Sequence, residues 1–133
     1  METTARFDAL GIVVANMERS LAFYRLLGLH GPDGSEGEGH VELNLARGLR
    51  LMLDTADVVR SFSEWEPPTG GHRMALAFLC PSPAEVDGLH ASLVAAGHRS
   101  KVDPFDAPWG QRYATVLDPD GNPVDLFAAP DIG

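Results

Sequence analysis

Hydrophobic and polar positions follow two patterns that recur in both halves of the chain. In the first half, ALGIVVAN (Ala9–Asn16) is a short apolar run with β-branched residues, which is typical of a buried strand. The next segment, MERSLAFYRLLGL, places apolar residues at helical spacing. Asn16 is suited to cap this helix and Gly28 to end it.

The second half repeats this strand and helix about 66–69 residues later. ALAFLC, from Ala75, is again a short apolar strand. In the following SPAEVDGLHASLVAAG, Ser82 and Glu85 form a capping-box pattern, Pro83 takes the first helical position and Gly97 ends the helix. The apolar stripe of this predicted helix consists of Val86, Leu89, Leu93 and Val94.

Strand-like segments follow each predicted helix. The first is followed by His40–Ala46 and Leu49–Asp54, with a hairpin signal at Arg47-Gly48; the second by His98–Asp103, Gln111–Asp118 and PVDLF, with the turn PDGN between the last two. We interpret the pattern as βαβββ twice within a single domain, 1–133. The modules are 6–54 and 73–128, and the linker is 55–72. This predicts an α+β fold in which two curved half-sheets share a core and form a cleft.

Strand alternation selects the first candidate site residues. Asp125 lies between Val124 and Leu126, so it faces away from the helix layer if those two face toward it. It is either a ligand-contacting acid or a rim residue satisfied by water or by Arg112. On the strand that begins at His40, the apolar residues Val41, Leu43 and Leu45 leave His40, Glu42 and Asn44 on the opposite face.

Aromatic residues on predicted loops and strand starts are the second set of candidates, because irregular segments mostly run over the surface. They either stack on a planar ligand or cover an interface. Phe62 and Trp65, on the linker, are the stronger ligand candidates, whereas a structural role suits Trp109 in its Pro-Trp-Gly element equally well. The full set is Phe62, Trp65, Phe105, Trp109 and Tyr113.

Composition excludes several classes of function. A net charge of −9 disfavours general nucleic-acid binding, which needs a basic surface. No apolar run approaches the ~20 residues of a membrane span. The N-terminus has no apolar signal region. Cys80 is the single cysteine, which fits a reducing cytoplasm and is expected to pack rather than react.

Three segments carry a resemblance to a known family. GIVVANMERSLAFYRLLGL (Gly11–Leu29), PAEVDGLHASLVAAGH (Pro83–His98) and PWGQRYATVLDPDGNPVDLF (Pro108–Phe127) resemble the vicinal oxygen chelate superfamily. This superfamily includes glyoxalase I, fosfomycin-resistance enzymes, extradiol dioxygenases and bleomycin-resistance proteins. The resemblance implies two βαβββ modules in a cup-shaped incomplete barrel, usually within a homodimer.

The resemblance also implies where a metal would bind. Ligand positions of metal-using members fall on Ala9, Ala75 and Asp125, with a further one near Leu51 to Leu53, where this chain has no carboxylate. Alanine offers no lone pair, and a firmly held divalent cation needs about three protein ligands. We therefore expect no metal and no cofactor. A displaced set of His40, His72 and Asp125 is the one alternative route to a metal; His30, His90 and His98 are expected at the surface.

Three functions stay open. The first is a metal-independent small-molecule binding protein, similar to the resistance proteins, in which Asp125, Glu42 and Asn44 meet polar or cationic groups of the ligand. Aromatic side chains would stack on that ligand. The second is a lyase, isomerase or dioxygenase, either metal-dependent or using Asp125 as a general base with Tyr113 or His40 assisting. The third is a regulatory module. We favour the first.

Overall fold

The structure is a computed structural model that describes residues 6–72 and 74–131. Arg73, where the second module is predicted to begin, lies outside the described residues. The chain divides into two compact units, 1–67 and 68–133, and each is a sheet with helices packed on it. The longest described helix has 13 residues, and no helix in the described ranges is long and apolar enough to cross a membrane.

The first unit is built around a three-stranded sheet. Its strands pair in the order β1-β3-β2, with β1 parallel and β2 antiparallel to β3. Leu21, Phe23 and Tyr24 of the long helix α1 are fully buried, as are Leu43 and Leu53 on the strands. The elements are β1 (Ala9–Val14), α1 (Met17–Leu26), β2 (His40–Asn44), β3 (Arg50–Thr55) and α2 (Ala56–Arg60).

The second unit is built around a four-stranded sheet in the order β4-β7-β6-β5, in which β4 is parallel to β7. Helix α3 packs on this sheet through Val86 and Leu93, which are fully buried together with Val116, Val124 and Leu126 of the strands. The elements are β4 (Leu76–Leu79), α3 (Pro83–Ala95), β5 (Arg99–Asp106), β6 (Arg112–Leu117) and β7 (Pro123–Ala128).

The helix boundaries follow the predicted signals. The Asn16 side chain accepts a hydrogen bond from the backbone N–H of Arg19 at 3.0 Å, and the Ser82 hydroxyl accepts one from that of Glu85 at 3.3 Å. Each bond satisfies an N–H group that the helix itself leaves free. Gly28, with φ 85°, lies where helix α1 ends in the left-handed conformation that glycine adopts without strain.

The α+β architecture with two open sheets is confirmed, but the two units differ in their number of strands. Within residues 6–72 the first unit is βαββ, so the βαβββ pattern is complete only in the second. Where the second unit has β5, the first has the segment GPDGSEGEG with a 3-10 turn at Ser35–Gly37. Glycine, proline and acidic residues disfavour strands, which explains why no strand forms there.

One face of helix α3 differs from the prediction. His90, expected at the surface, is buried, while Val94 is 43% exposed. The buried stripe is therefore Val86, His90 and Leu93, at spacings of four and three residues. The buried His90 ring has a hydrogen-bond partner, because its Nε2 lies 2.8 Å from the Ser100 hydroxyl on β5.

The predicted hairpin at Arg47-Gly48 is confirmed, and its turn is an unusual one. Arg47 and Gly48 both have positive φ, 63° and 77°, and the Leu49 N–H donates to the Ala46 carbonyl at 3.3 Å. Two positive φ values define a type I′ turn, whose first central position favours Asn, Asp or Gly. An arginine there carries a steric cost of about 1 kcal/mol, because its Cβ approaches the following carbonyl.

Candidate functional site

Strand β7 presents Asp125 on the face opposite the helix layer. Its neighbours Val124 and Leu126 are fully buried, whereas Asp125 is half-buried. The predicted alternation along this strand is therefore confirmed. It arises because successive side chains of a strand point to opposite faces of the sheet.

Both carboxylate oxygens of Asp125 accept hydrogen bonds from the adjacent strand β6. The Tyr113 hydroxyl donates to one oxygen at 2.6 Å, and the Thr115 hydroxyl donates to the other at 2.7 Å. Arg112, the partner considered from the sequence, instead donates to Asp87 and Asp106. The carboxylate is thus held by two neutral hydroxyl groups, and no described cation pairs with it in an ion pair.

What this arrangement can do chemically depends on whether the Tyr113 hydroxyl is protonated. Burial, followed by the hydrogen bond to Asp125, raises the pKa of Tyr113 to about 12. Tyr113 therefore stays a hydrogen-bond donor at neutral pH. An ionised carboxylate has about four lone-pair sites, and the two hydroxyls use one on each oxygen. Asp125 retains the capacity to accept hydrogen bonds from a ligand or to pair with a cation.

A surface pocket of about 340 Å³ opens beside this carboxylate. Two of the positions carried over from the family resemblance, Ala75 and Asp125, both line it. Apolar side chains form part of its wall, and Lys101 and His72 contribute polar groups. The described residues that line it are His72, Met74, Ala75, Lys101, Val102, Thr115, Pro123 and Asp125.

An aromatic cluster surrounds Tyr113. Its ring lies 5.2 Å from that of Trp109 and 6.4 Å from that of Phe105, both edge to face, and 6.5 Å from that of Phe127. Trp109 is 59% exposed. The structure thus brings two predicted ligand contacts, Trp109 and Tyr113, together with Asp125. Phe105 belongs to strand β5 rather than to a loop, which corrects its predicted position.

Glu42 and Asn44 lie on the predicted face of β2 in the first unit, where Glu42 belongs to a network of charges. The His40 ring places Nδ1 2.6 Å from an Asp54 oxygen and Nε2 2.9 Å from a Glu42 oxygen. Arg50 pairs with Glu42 at 2.6 Å. The hydrogen bonds to Glu42 and Asp54 raise the pKa of His40. The hydrogen bonds from Arg50 and His40 lower the pKa of Glu42. Asn44 is exposed at the end of the strand.

The predicted linker aromatics line a separate pocket of about 560 Å³ in the first unit. Phe62 is 75% exposed there. The Arg60 guanidinium lies 5.5 Å from the centre of the Trp65 ring, in a cation–π contact. Phe62 and Trp65 both lie after the short helix α2, which follows β3 and forms the start of the predicted linker.

The described residues do not fit a metal ion. Ala9 and Ala75 carry no donor atom, and both ring nitrogens of His40 already face carboxylates. In residues 6–72 and 74–131, no group of three or more His, Cys, Asp and Glu side chains is placed to hold a metal. His72 lines the Asp125 pocket, whereas His40 belongs to the charge network of the other unit.

Thr115 is the contact of Asp125 that sequence reasoning missed. It is buried, faces the same side of β6 as Tyr113, and pairs directly across from Asp125. The signal was available in QRYATVLD, where Ala114 and Val116 alternate with Tyr113 and Thr115. What the sequence does not show is the register between β6 and β7, which decides whether Thr115 meets Asp125 or a neighbour.

Two open sheets, each covered by a helix that follows the first strand, define an α+β protein with a glyoxalase-type fold. A profile of the Glyoxalase/Bleomycin resistance protein/Dioxygenase superfamily matches residues 6–126. The chain belongs to this superfamily, which confirms the resemblance noted in the sequence. The comparison with curated proteins found no match.

Solved structures support the same fold. A glyoxalase/bleomycin resistance protein/dioxygenase from Nocardioides is 27% identical, with TM-score 0.74 over 100% of this chain and 89% of that one. A family enzyme from Burkholderia phytofirmans PsJN is 20% identical, with TM-score 0.78 and coverage of 94% and 99%. Lactoylglutathione lyase from Agrobacterium tumefaciens is 18% identical, with TM-score 0.67 and coverage of 96% of each chain.

Proposed function

We propose that this protein binds a small organic molecule without a metal ion and releases it unchanged. The observation that carries the proposal is the state of Asp125, whose carboxylate is held by the Tyr113 and Thr115 hydroxyls beside an open pocket. The positions that would complete a metal site in the superfamily are alanines. A carboxylate with free lone pairs and no ion-pair partner among the described residues is suited to a ligand's ammonium or hydroxyl group.

The aromatic surroundings indicate the rest of the ligand. Trp109 is 59% exposed beside Tyr113, so a planar ligand has an aromatic side chain on which to stack. Phe62, which is 75% exposed, and the partly buried Trp65 offer a second aromatic surface in the pocket of the first unit. The ligand class is therefore a planar, largely apolar molecule with a cationic or hydrogen-bond-donating group, a description that covers many antibiotics and other xenobiotics.

The experiment is a binding screen followed by calorimetry. Bleomycin, aromatic amines and their uncharged analogues are screened by thermal shift, and the compounds that bind are titrated into the wild type and Asp125→Asn. We expect at least tenfold weaker binding in Asp125→Asn, because a charge-assisted contact is replaced by a neutral one. Asp33→Asn is the matched control, since Asp33 is an exposed acid of the other unit. Equal affinity in all three proteins contradicts the proposal.

A second candidate is a metal-independent enzyme in which Asp125 is a general base. The 2.6 Å contact from Tyr113 favours it, because a hydrogen-bonded phenol beside a carboxylate is a common arrangement for proton transfer. Mass spectrometry of the bound compound after incubation separates the two functions. Recovery of unaltered compound supports binding alone, whereas a product that forms in wild type and not in Asp125→Asn establishes catalysis.

The proposal includes a homodimer in the cytoplasm. Exposed apolar side chains at Met74 and Leu79, 69% and 72% exposed, support an interface between copies of the chain. The single cysteine, Cys80, supports a reducing compartment. Light scattering after size-exclusion chromatography tests the dimer, for which a mass of twice 14.3 kDa is expected. A mass of 14.3 kDa at micromolar concentration contradicts it.

A further inference from the structure

A third pocket, chemically different from the Asp125 site, lies within the first unit at the type I′ turn. It has a volume of about 510 Å³ and joins the chain before β1 to the hairpin between β2 and β3. Its lining consists of Arg6, Phe7, Asp8, Arg47, Gly48 and Leu49. Two of the ten basic residues of an acidic protein thus line one pocket.

The charge balance of this pocket is positive. Among the described residues, Arg6 and Arg47 form no ion pair, in contrast to Arg25, Arg50 and Arg112. Asp8 is the one carboxylate among the described residues of the pocket, and it pairs with Arg50. Within the described part of the chain, the two guanidinium groups therefore have no carboxylate partner, although the protein as a whole carries a net charge of −9.

Arg47 has a backbone conformation that is uncommon for arginine. Arg47 is the one non-glycine residue with positive φ in the described part of the chain. Asparagine or glycine would form the same turn with less strain. The turn requires the positive φ but not an arginine, and strained residues cluster at functional positions, so the charged side chain that Arg47 brings to the pocket points to a role in binding.

The apolar residues complete the description of the ligand. Phe7 is 68% exposed and lines the pocket beside Leu49, so an apolar surface adjoins the two cations. We infer that this pocket binds an organic anion, in which a carboxylate or phosphate group meets Arg6 and Arg47 and an apolar body packs against Phe7 and Leu49. Guanidinium groups suit both anions, since their paired N–H donors match two oxygens. The inference is independent of the function proposed for Asp125.

Nuclear magnetic resonance titration with defined probes tests the inference. Benzoate and phenyl phosphate provide the two anions on an apolar body, inorganic phosphate provides the anion alone, and benzylamine reverses the charge. We expect saturable shifts of the Gly48 and Leu49 amide signals with benzoate or phenyl phosphate, and the tighter of the two identifies the headgroup. No shift with either compound overturns the inference. Equal binding of benzylamine, or of inorganic phosphate, overturns the assignment of an organic anion.

Substitutions separate binding from folding. Arg47→Asn keeps a residue that the type I′ turn favours, so we expect an unchanged or raised melting temperature together with about tenfold weaker anion binding. Arg6→Gln should weaken binding similarly. Arg19→Gln, an exposed arginine on α1, is the matched control and should leave affinity unchanged. Wild-type affinity in both Arg47→Asn and Arg6→Gln overturns the inference.

Discussion

The two units have different side chains at the corresponding position of the last strand of their sheets. In each, the first strand runs parallel to the last, and cross-strand pairing aligns Gly11, Met52 and Glu42 in one unit. The matching positions in the other are Ala77, Asp125 and Thr115. The first unit therefore has an apolar side chain where the second has its half-buried acid.

Asp125 and the carboxylates around His40 also have different partners. In the first unit, Glu42 pairs with Arg50, and the His40 ring lies within hydrogen-bonding distance of both Asp54 and Glu42. In the second, Asp125 is fixed by neutral hydroxyls. A cationic group of a ligand could therefore pair with Asp125 directly, whereas at Glu42 it would have to displace Arg50. This difference makes the second unit the stronger candidate for ligand binding.

The largest effect is expected from removal of the acid in the second unit. Asp125→Ala leaves the Tyr113 and Thr115 hydroxyls without their acceptor, and Thr115 is buried, so we expect a loss of about 2–3 kcal/mol in the free energy of unfolding. Asp54→Ala, in the partly exposed network of the first unit, should lose about 1 kcal/mol or less. Urea denaturation of both variants measures the difference. Equal losses would remove the distinction between the units.

Alkaline pH is expected to affect the second unit next most strongly. The folded-state pKa of Tyr113, about 12, lies above the ordinary tyrosine pKa of 10.0, so the unfolded chain loses this proton first. The stabilisation is complete below about pH 10 and is lost as pH rises toward 12, by up to about 2 kcal/mol. Absorbance titration of wild type and Tyr113→Phe measures the pKa from their difference. A midpoint near 10 contradicts the geometry.

The charge network of the first unit predicts a smaller effect near neutral pH. Hydrogen bonds to Glu42 and Asp54 raise the pKa of His40 above 6.5, so its stabilisation is complete below that pH. It is lost as pH rises through the folded-state pKa. His40 is 44% exposed as a side chain, so solvent screening limits the effect to below about 1 kcal/mol. Urea denaturation at pH 6 and pH 9 should show a decline in wild type that His40→Gln lacks; an identical decline in both contradicts this role.

The smallest effect concerns the two tryptophans. As with the carboxylates, the one in the first unit contacts a cation and the one in the second unit contacts neutral side chains. Trp65 packs against a cation, Arg60, whereas Trp109 packs against the rings of Phe105 and Tyr113. Arg60→Gln should reduce the free energy of unfolding by about 0.5 kcal/mol, the size of an exposed cation–π contact. The same denaturation assay measures it, and Arg19→Gln provides an arginine control. A loss as large as that of Asp125→Ala would contradict this ranking.

The sequence predicted those parts of the fold that depend on local patterns. Caps at Asn16 and Ser82, the left-handed glycines and the alternation around Asp125 are local, and each is present in the structure. The burial of His90 was not predictable in this way, because it depends on a hydroxyl from β5. The contact of Thr115 with Asp125 likewise depends on strand register, which is set by the whole sheet. The role of every predicted contact in ligand binding remains a prediction, for Asp125, Trp109 and Tyr113 as well as for Glu42, Asn44, Phe62 and Trp65.

The most direct test of the account is a calorimetric titration of one compound from the binding screen into three samples: untreated wild type, chelator-treated wild type and Asp125→Asn. The account predicts the same dissociation constant in the first two and one at least tenfold higher in the third, because a carboxylate rather than a metal holds the ligand. Loss of binding on chelation, with recovery when a divalent cation is added back, would contradict it.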